Sequence, residues 1–429
     1  MDITPKLGQM MPGYFNKRFG SGILDPLYTK ALVLENDGTR IAVAAVDCLK
    51  LSDDAVADFR KKLSARTGIE NALLAATHAH TGGPVEDWGS HMKTDNDYVG
   101  LLVDKSVDAV VMAIEKLQPA TLRTGREYED GISFNRRFHM ADGNTATNPG
   151  IKNPGIVKPC GPIDPDVTVL RIDGPDGNLI GVLTNFSCHL DVVGGDKLCS
   201  DYPGELSRAL KSIYGQHIVS MFLTAPCGDI NHIDVSGVFC TKRDHYKRLG
   251  RALAGKVVSV MEKAPMMADN TLGAKREVVV CSCRQPSTSD VEAARAHIAA
   301  EKRPYDELAY VMDNSQTDLF YALETVRMYE NPQSAATLEV MAVRIGGLSI
   351  VTIPGELFVE FSIAIKAASG FDYTMVSSLT NGSFGYILTR EALECGGYER
   401  RLCSSSKMSA DTGYVLVDTA KMLLAELLG

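Results

Sequence analysis

Two histidines two residues apart, His78 and His80, are the most chemically suggestive residues in this chain. They follow the apolar run of residues 72–76, which predicts a short buried strand, and Gly82-Gly83 then lets the chain turn away. Side chains at positions i and i+2 of an extended segment point to the same side. Both imidazoles can therefore face one cleft at the carboxyl end of a strand, where open α/β sheets place their sites. The pattern favours metal binding or catalysis over two solvated loop histidines.

Other predicted strands also end in residues that can bind a metal. His189, Glu356 and Asp47 each follow an apolar or β-branched run. Zinc takes imidazole nitrogen or carboxylate oxygen from several segments, and a catalytic zinc keeps one position for water. A single polar residue at a strand end usually only marks the end of the strand. One or two of these residues could be structural caps instead of ligands. Together with His78, they predict a metal site.

The chain resembles the catalytic domain of the neutral, non-lysosomal ceramidases and their bacterial relatives in a series of short motifs. The similar segments are Asp2-Ile3-Thr4-Pro5, Met11-Pro12-Gly13-Tyr14, Thr77 to Gly82, Asn135-Arg136-Arg137, Asn185 to His189 with Ser200-Asp201, Gly355-Glu356, and Asn381 with Tyr386, Thr389 and Glu391. These matches occur in the family's order, from the first residues to about position 400. The combination is far more specific than any one motif.

The resemblance implies a set of site residues. It implies zinc ligands at His78, His189, Glu356 and Tyr386. It also implies that His80 and Arg136 face the carbonyl of the substrate. Two imidazoles and a carboxylate agree with a hydrolytic zinc site. Tyr386 is a less usual ligand, and its alternative is a buried tyrosine with a satisfied hydroxyl. The alternative for Arg136 is a surface cation beside Arg137.

One departure from the family pattern changes the predicted chemistry. The ceramidase segment Gly-Asp-Val-Ser-Pro-Asn contains the serine held responsible for catalysis, and Asn231 stands at that serine's place here. An amide cannot be activated as a nucleophile in the way a hydroxyl can. Zinc-bound water is therefore predicted to attack directly. Asn231 can still donate a hydrogen bond, and His232 is either an acid/base candidate or an ordinary loop imidazole.

Composition argues against several classes of function. The net charge of −9 argues against nucleic acid as a partner, and no run of 18 apolar residues predicts a membrane span. The amino terminus has neither a basic region nor an apolar signal core, which predicts a cytoplasmic protein. Its ten cysteines are then expected to be reduced. No linker or internal repeat is visible, and the chain is too short for the immunoglobulin-like domain of ceramidases, so residues 1–429 are predicted to form one ceramidase-like zinc hydrolase domain.

Alternating strand and helix patterns predict the fold class. Strands are expected at residues 31–35, 40–47, 167–172, 179–187, 217–223, 338–345 and 348–353, and helices at residues 53–66, 97–117, 202–214, 243–263 and 416–428. Hairpins and crossover connections together indicate mixed sheets. The expected fold is α/β, with mixed twisted β-sheets covered by helices, and the resemblance implies the same architecture.

These features predict a zinc-dependent hydrolase that cleaves an amide, ester or lactone bond of a small polar substrate, with carbohydrate-like compounds as candidates. Zinc would lower the pKa of its water to about 7, His80, with His232, would move the proton, and Arg136 would stabilise the oxyanion. The alternatives are a neutral ceramidase that hydrolyses N-acyl sphingoid bases and an inactive protein that retains zinc. Residues 86–91 are expected either to bind substrate hydroxyls or to form a plain surface loop. The expected partner is a small-molecule substrate, and the number of subunits is left open.

Overall fold

The computed structural model describes residues 1–87, 93–239, 244–308 and 314–429. The strands within these ranges are β1 (Gly22–Ile23), β2 (Thr29–Asn36), β3 (Thr39–Val46), β4 (Ala72–Ala76), β5 (Thr121–Tyr128), β6 (Phe134–Asn135), β7 (Arg137–Met140), β8 (Thr145–Thr147), β9 (Ile156–Pro159), β10 (Asp166–Asp173), β11 (Leu179–Phe186), β12 (Lys197–Leu198), β13 (Val219–Thr224), β14 (Ile230–Asn231), β15 (Leu272–Ser282), β16 (Ala335–Ile345), β17 (Leu348–Thr352), β18 (Glu356–Leu357), β19 (Tyr373–Ser377) and β20 (Tyr386–Ile387). The α-helices are α1 (Asp53–Thr67), α2 (Asn96–Glu115), α3 (Asp201–Tyr214), α4 (His245–Lys263), α5 (Thr288–Ala300), α6 (Ser315–Glu330), α7 (Val359–Ala368), α8 (Arg390–Cys395) and α9 (Thr412–Leu428).

Three sheets form the frame of the described structure, with strand orders β2-β3-β4, β13-β11-β10-β5 and β15-β16-β17-β19. Each sheet contains an antiparallel pair, β2-β3, β10-β11 or β16-β17. A helix, α1, α3 or α7, then leads from the second strand to a third strand that is parallel to it, β4, β13 or β19. The same ββαβ unit therefore occurs three times. This structural repeat is not visible as a repeat in the sequence.

The inner faces of the three sheets share one apolar core, and helices cover the outer faces. α1 and α2 cover the first sheet, α3 and α4 the second, and α7 and α9 the third. Strands buried on both faces have nearly continuous apolar sequences, which is why β4 reads Ala-Leu-Leu-Ala-Ala. The shared core is formed by Leu34, Ile41, Val43, Ala45, Leu73, Ala75, Leu170, Ile172, Leu183, Met221, Leu223, Met341, Val343, Ile345, Leu348, Ile350 and Met375.

The carboxyl ends of β4, β13 and β19 meet in a ring of hydrogen bonds. Ala76 N donates to Leu379 O at 3.0 Å, which joins the first unit to the third. Ser378 N donates to Thr224 O at 2.9 Å, and Thr224 Oγ1 donates to Thr77 O at 2.7 Å, which closes the ring through the second unit. The segments that follow these strands are therefore held against one another.

The predicted fold class is confirmed, and so are most of the predicted elements. The first hairpin and α1 lie within two residues of their predicted bounds, and Ser52 caps α1 by accepting a hydrogen bond from Ala55 N. The start predicted for α4 at residue 243 lies outside the described residues, and the helix is described from His245. Several elements were not predicted, among them β5, β15, β19 and α5 to α7. None of the described helices has the length and apolar character that a membrane span requires.

Candidate metal centre

The carboxyl ends of β4 and β11 bring three histidines together. The Nε2 atoms of His78 and His80 lie 3.1 Å from His189 Nε2, and those of His78 and His80 lie 3.3 Å from each other. Nitrogen ligands about 2.0–2.1 Å from a tetrahedral zinc lie about 3.3 Å apart. The three ring nitrogens are therefore close enough to form a group that could hold one metal ion, and the partners of the other ring nitrogens separate His78 and His189 from His80.

His78 and His189 have the second hydrogen bond that is typical of metal-binding histidines. His78 Nδ1 lies 2.8 Å from Leu49 O, and His189 Nδ1 lies 3.2 Å from Cys227 O. Because a carbonyl oxygen only accepts, each Nδ1 carries the hydrogen and each Nε2 is left with a free lone pair. His78 also adopts a φ of 72°, a left-handed conformation that is uncommon for histidine and that clusters at functional sites.

His80 differs from the other two histidines in this respect. Its Nδ1 is buried, and no hydrogen-bond partner for it exists among the described residues. The ring lies against the amino-terminal segment, 5.2 Å from the ring of Tyr14, and a Cβ on Gly13 would come within 2.9 Å of His80 Nδ1. Nothing therefore fixes the tautomer of His80, and its ring can either give or take a proton.

Glu356 places a carboxylate beside the histidines. Glu356 Oε2 lies 3.5 Å from His78 Nε2 and has no hydrogen-bond partner among the described residues. Burial alone would raise the pKa of this carboxyl, but His78, His189 and Arg136 lower it well below its ordinary value. The loop after β13 lies so close to Glu356 that a Cβ on Gly228 would be 2.4 Å from Glu356 O, so this position requires glycine.

The protonation states fit a divalent cation. Burial, followed by the neighbouring His78 and Arg136, lowers the pKa of His189 to about 3. Burial, followed by the neighbouring His78 and His189, lowers the pKa of His80 well below its ordinary value. Neutral imidazoles beside an ionised carboxylate are the donor set that zinc takes. The residues present therefore fit the metal that the sequence predicts.

Tyr386 and Arg136 lie together near Glu356, within a network that the sequence did not predict. The Arg136 guanidinium lies 5.4 Å from the centre of the Tyr386 ring, and Tyr398 lies 5.7 Å from the same ring. Arg136 Nε donates to Glu399 Oε1 at 2.9 Å, and Arg136 Nη2 donates to Gly228 O at 2.7 Å. Two of the five N–H groups of Arg136 therefore donate to oxygens of the protein.

His232 lies in a second polar cluster beside the histidines. Its Nδ1 is 3.3 Å from Asp191 Oδ1, an ion-pair distance, and its ring is 5.3 Å from that of His245. Burial lowers the pKa of His232, but Asp191 outweighs it and raises the pKa above the ordinary value. Asp191 follows His189 by two residues, so His232 is linked to the centre through a short segment.

Asn231 is fully buried, and both ends of its amide form a hydrogen bond within the protein. Its Nδ2 donates to Asn148 Oδ1 at 2.8 Å, and its Oδ1 accepts from Ile233 N at 2.9 Å. Asn231 therefore connects the loop after β8 with the loop after β14.

The structure brings most of the predicted residues into one region. Asp47 has a structural role instead. It accepts hydrogen bonds from Tyr28 N and from the Thr77 hydroxyl and so caps the strand ends. Residues 88–91 of the predicted substrate loop lie outside the described residues. Sequence reasoning assigned no role to Asp191, Tyr398 or Glu399. Asp191 was detectable from its spacing to His189, whereas Glu399 stands in a charged stretch that resembles an ordinary surface.

Comparison with known proteins identifies the family. The family described as "Neutral/alkaline non-lysosomal ceramidase, N-terminal" matches residues 1–277. The chain belongs to this family. Membership makes it a hydrolase of a metal-dependent family, and the predicted resemblance is confirmed.

Individual relatives are similar to this chain in sequence and in fold. Neutral ceramidase of Pseudomonas aeruginosa is 23% identical to this ceramidase-family chain, over 93% of this chain and 67% of that protein. A crystal structure of neutral ceramidase from Pseudomonas aeruginosa superposes with a TM-score of 0.74 at 19% identity, over 99% of this chain and 73% of that one. A structure described as ceramidase complexed with C2 gives a TM-score of 0.75 at 19% identity, over 100% and 74% of the two chains. At such identities the structures show a shared fold.

Proposed function

We propose that this protein is a zinc-dependent hydrolase that cleaves an amide, ester or lactone bond of a small polar substrate. The observation that carries the proposal is the convergence of His78 Nε2 and His189 Nε2, each with its Nδ1 hydrogen on a carbonyl, beside the unpartnered oxygen of Glu356. These three residues would hold the zinc, and Tyr386 would complete the set. A bound zinc ion supplies a Lewis acid that polarises a carbonyl and lowers the pKa of water to about 7.

His80 is the proposed general base and acid. Burial, and then His78 and His189, lower the pKa of His80 and favour its neutral form, and its free tautomer distinguishes it from the two histidines that carbonyl groups fix. A base with a free ring nitrogen beside the reacting centre can take a proton from water and return it to the leaving group. His232, held by Asp191, is the second candidate for moving that proton.

Arg136 is proposed to stabilise the oxyanion and to adjust the charge of its neighbours. Its charge lowers the pKa of Glu356 and lies against Tyr386, while Glu399 neutralises it. The N–H groups of Arg136 that these contacts do not use would stabilise the oxyanion. Asn231 would hold the loop of Asn148 at the edge of the site, and water rather than a protein nucleophile would attack.

The substrate class is proposed from the polar character of the residues near the centre. Asp191, His232 and Arg136 offer charge and hydrogen bonds, which suit a substrate with hydroxyl or amide groups better than an alkyl chain. Neutral ceramidase activity on N-acyl sphingoid bases is the alternative that family membership favours.

A panel of substrates tests the proposal. Zinc-loaded protein is assayed with N-acyl sugars, sugar lactones, simple esters and short- and long-chain ceramides, with His80→Ala as the inactive control. We expect the highest kcat/KM on a polar compound. Faster turnover of ceramides would establish the alternative. Zinc binding without turnover of any compound would indicate an inactive zinc-retaining protein.

A further inference from the structure

A large groove lies apart from the metal-centre residues, between two sheets. β2 is the edge strand of the first sheet and β13 is the edge strand of the second, and the two are not paired with each other. The groove between them has a volume of about 980 Å³. Ligand sites in proteins typically span about 300–1,000 Å³. None of His78, His80, His189 or Glu356 lines this groove.

The walls of the groove are apolar over much of their area. The carboxyl-terminal part of α2 and strand β2 form one wall, and β13 with α3 forms the other. Met112 and Leu117 are 43% and 38% exposed, so they offer apolar surface at the mouth of the groove. The apolar lining includes Leu34, Met112, Leu117, Leu122, Ile180 and Met221.

Lys30 crosses the groove. Its ammonium donates to Ser220 O at 2.9 Å and so links β2 to β13. An ammonium has three donors, and this contact uses one of them. Burial, and then the nearby positive charge of Lys211, lower the pKa of Lys30, which places Lys211 near the same point of the groove.

The charges that line the groove do not balance. Two acidic residues there are neutralised by arginines, Asp25 by Arg208 and Glu35 by Arg40. Asp47 is the acid that acts on Lys30, and it already accepts hydrogen bonds from Tyr28 and Thr77. Lys30, Lys116 and Lys211 also line the groove, and among the described residues none of the three forms an ion pair. The lining therefore carries excess positive charge beside apolar walls.

We infer that this groove binds a single-chain amphiphilic carboxylate, with the carboxylate at Lys30 and Lys211 and the alkyl chain along the apolar walls. An anion compensates the two ammonium groups, and an alkyl chain covers Met112 and Leu117, so one ligand accounts for both features. An extended peptide that adds a strand fits less well, because the Lys30 side chain occupies the space between the two strand edges.

Binding of dodecanoate below its micelle concentration tests this inference. Isothermal titration with the zinc-loaded protein should show one site for dodecanoate and none for dodecyltrimethylammonium or acetate. Lys211→Glu should weaken dodecanoate binding about ten- to hundredfold, because a charge-assisted hydrogen bond becomes a repulsion. Leu117→Gln should weaken it through the alkyl contact, and Lys61→Met on the exposed face of α1 is the matched control. Lys211 and Leu117 are not core residues, so both variants should fold.

Three results would overturn the inference. Equal binding of the anionic and cationic amphiphiles would remove the role of the lysines. Binding that is lost in His189→Ala but unchanged in Lys211→Glu would place dodecanoate at the metal centre. Binding of an extended peptide in place of dodecanoate, blocked by the same groove variants, would assign the groove to strand addition instead. None of these readouts depends on turnover, so the outcome is independent of the proposed hydrolase activity.

Discussion

At the scale of residues, the three histidines differ in the hydrogen-bond partner of Nδ1, and this difference separates their proposed roles. His78 and His189 each donate from Nδ1 to a carbonyl oxygen, whereas His80 Nδ1 has no partner among the described residues. A His-x-His pair in the sequence predicts that both rings face one cleft, and the structure shows that they do. The sequence cannot show the partner of each Nδ1, because Leu49 and Cys227 contribute only backbone oxygens, which any residue carries. The distinct roles of His78 and His80 therefore stay a prediction that rests on geometry.

Replacement of Asn231 by serine tests whether the family's serine chemistry is lost here. Asn231→Ser restores the hydroxyl but removes the hydrogen bond to Asn148. We expect Asn231→Ser and the control Asn231→Ala to lose turnover to a similar degree, and mass spectrometry of quenched reactions to show no acyl-enzyme. A trapped acyl group on the new serine, together with retained activity, would contradict the proposal that water attacks.

Glu399 provides a prediction about stability at the same scale. Its carboxylate is fully buried and lies against both Arg136 and Arg137. Glu399→Gln leaves two buried guanidinium groups without this counter-charge, and we expect it to lower the free energy of unfolding by about 3–5 kcal/mol. Urea denaturation measures the change, with the exposed carboxylate of Glu394 changed to glutamine as the control. A loss below about 1 kcal/mol, as for a surface pair, would show that Glu399 does not compensate these charges.

At the scale of elements, the site is built from segments that begin where a strand stops. The sequence predicted this for β4, β11 and β17, because an apolar run that ends in a polar residue is visible without a structure. It did not predict β19, which pairs with β17, or α7, which follows β18. β18 and β20 are two residues long and pair only with each other. Strands this short have no sequence periodicity from which they could be predicted. Short elements of this kind depend on tertiary contacts rather than on local propensity.

The junction of β14 with α7 gives a prediction on pH. Asp229 accepts hydrogen bonds from Val359 N at 2.9 Å and from Asn135 Nδ2 at 2.8 Å. Burial, and then the Glu360 carboxylate, raise the pKa of Asp229 to about 8. A carboxyl with a raised pKa binds its proton more tightly in the folded chain. Its contribution to stability is therefore complete below about pH 4, and it is lost as the pH rises through about 8.

Thermal melts between pH 5 and 9 test this linkage. Glu360→Gln removes the charge that helps raise the Asp229 pKa, so its melting temperature should fall less over this range than that of the parent protein. Glu394→Gln should behave like the parent. A variant and a parent with parallel curves would show that Asp229 and Glu360 are not electrostatically linked.

At the scale of the whole molecule, three ββαβ units surround the metal centre and contribute different residues to it. The first provides His78 and His80, the second provides His189, and the third provides Glu356. The sequence shows no repeat because each unit needs different side chains at the common point, and only the backbone pattern is shared. The apolar core common to all three sheets supports the prediction of one domain for residues 1–429, which stays a prediction. The predicted cytoplasmic location likewise stays a prediction.

The zinc content of three purified proteins tests the central claim most directly. The parent chain, His189→Ala and His80→Ala are loaded with zinc, dialysed and analysed by mass spectrometry for metal per chain. The account predicts one zinc per chain in the parent protein, almost none in His189→Ala, and retained zinc in His80→Ala with turnover reduced about 10²–10⁴-fold. Equal zinc in the parent and in His189→Ala would contradict the proposed metal centre. Loss of zinc in His80→Ala would make His80 a ligand rather than the residue that moves the proton.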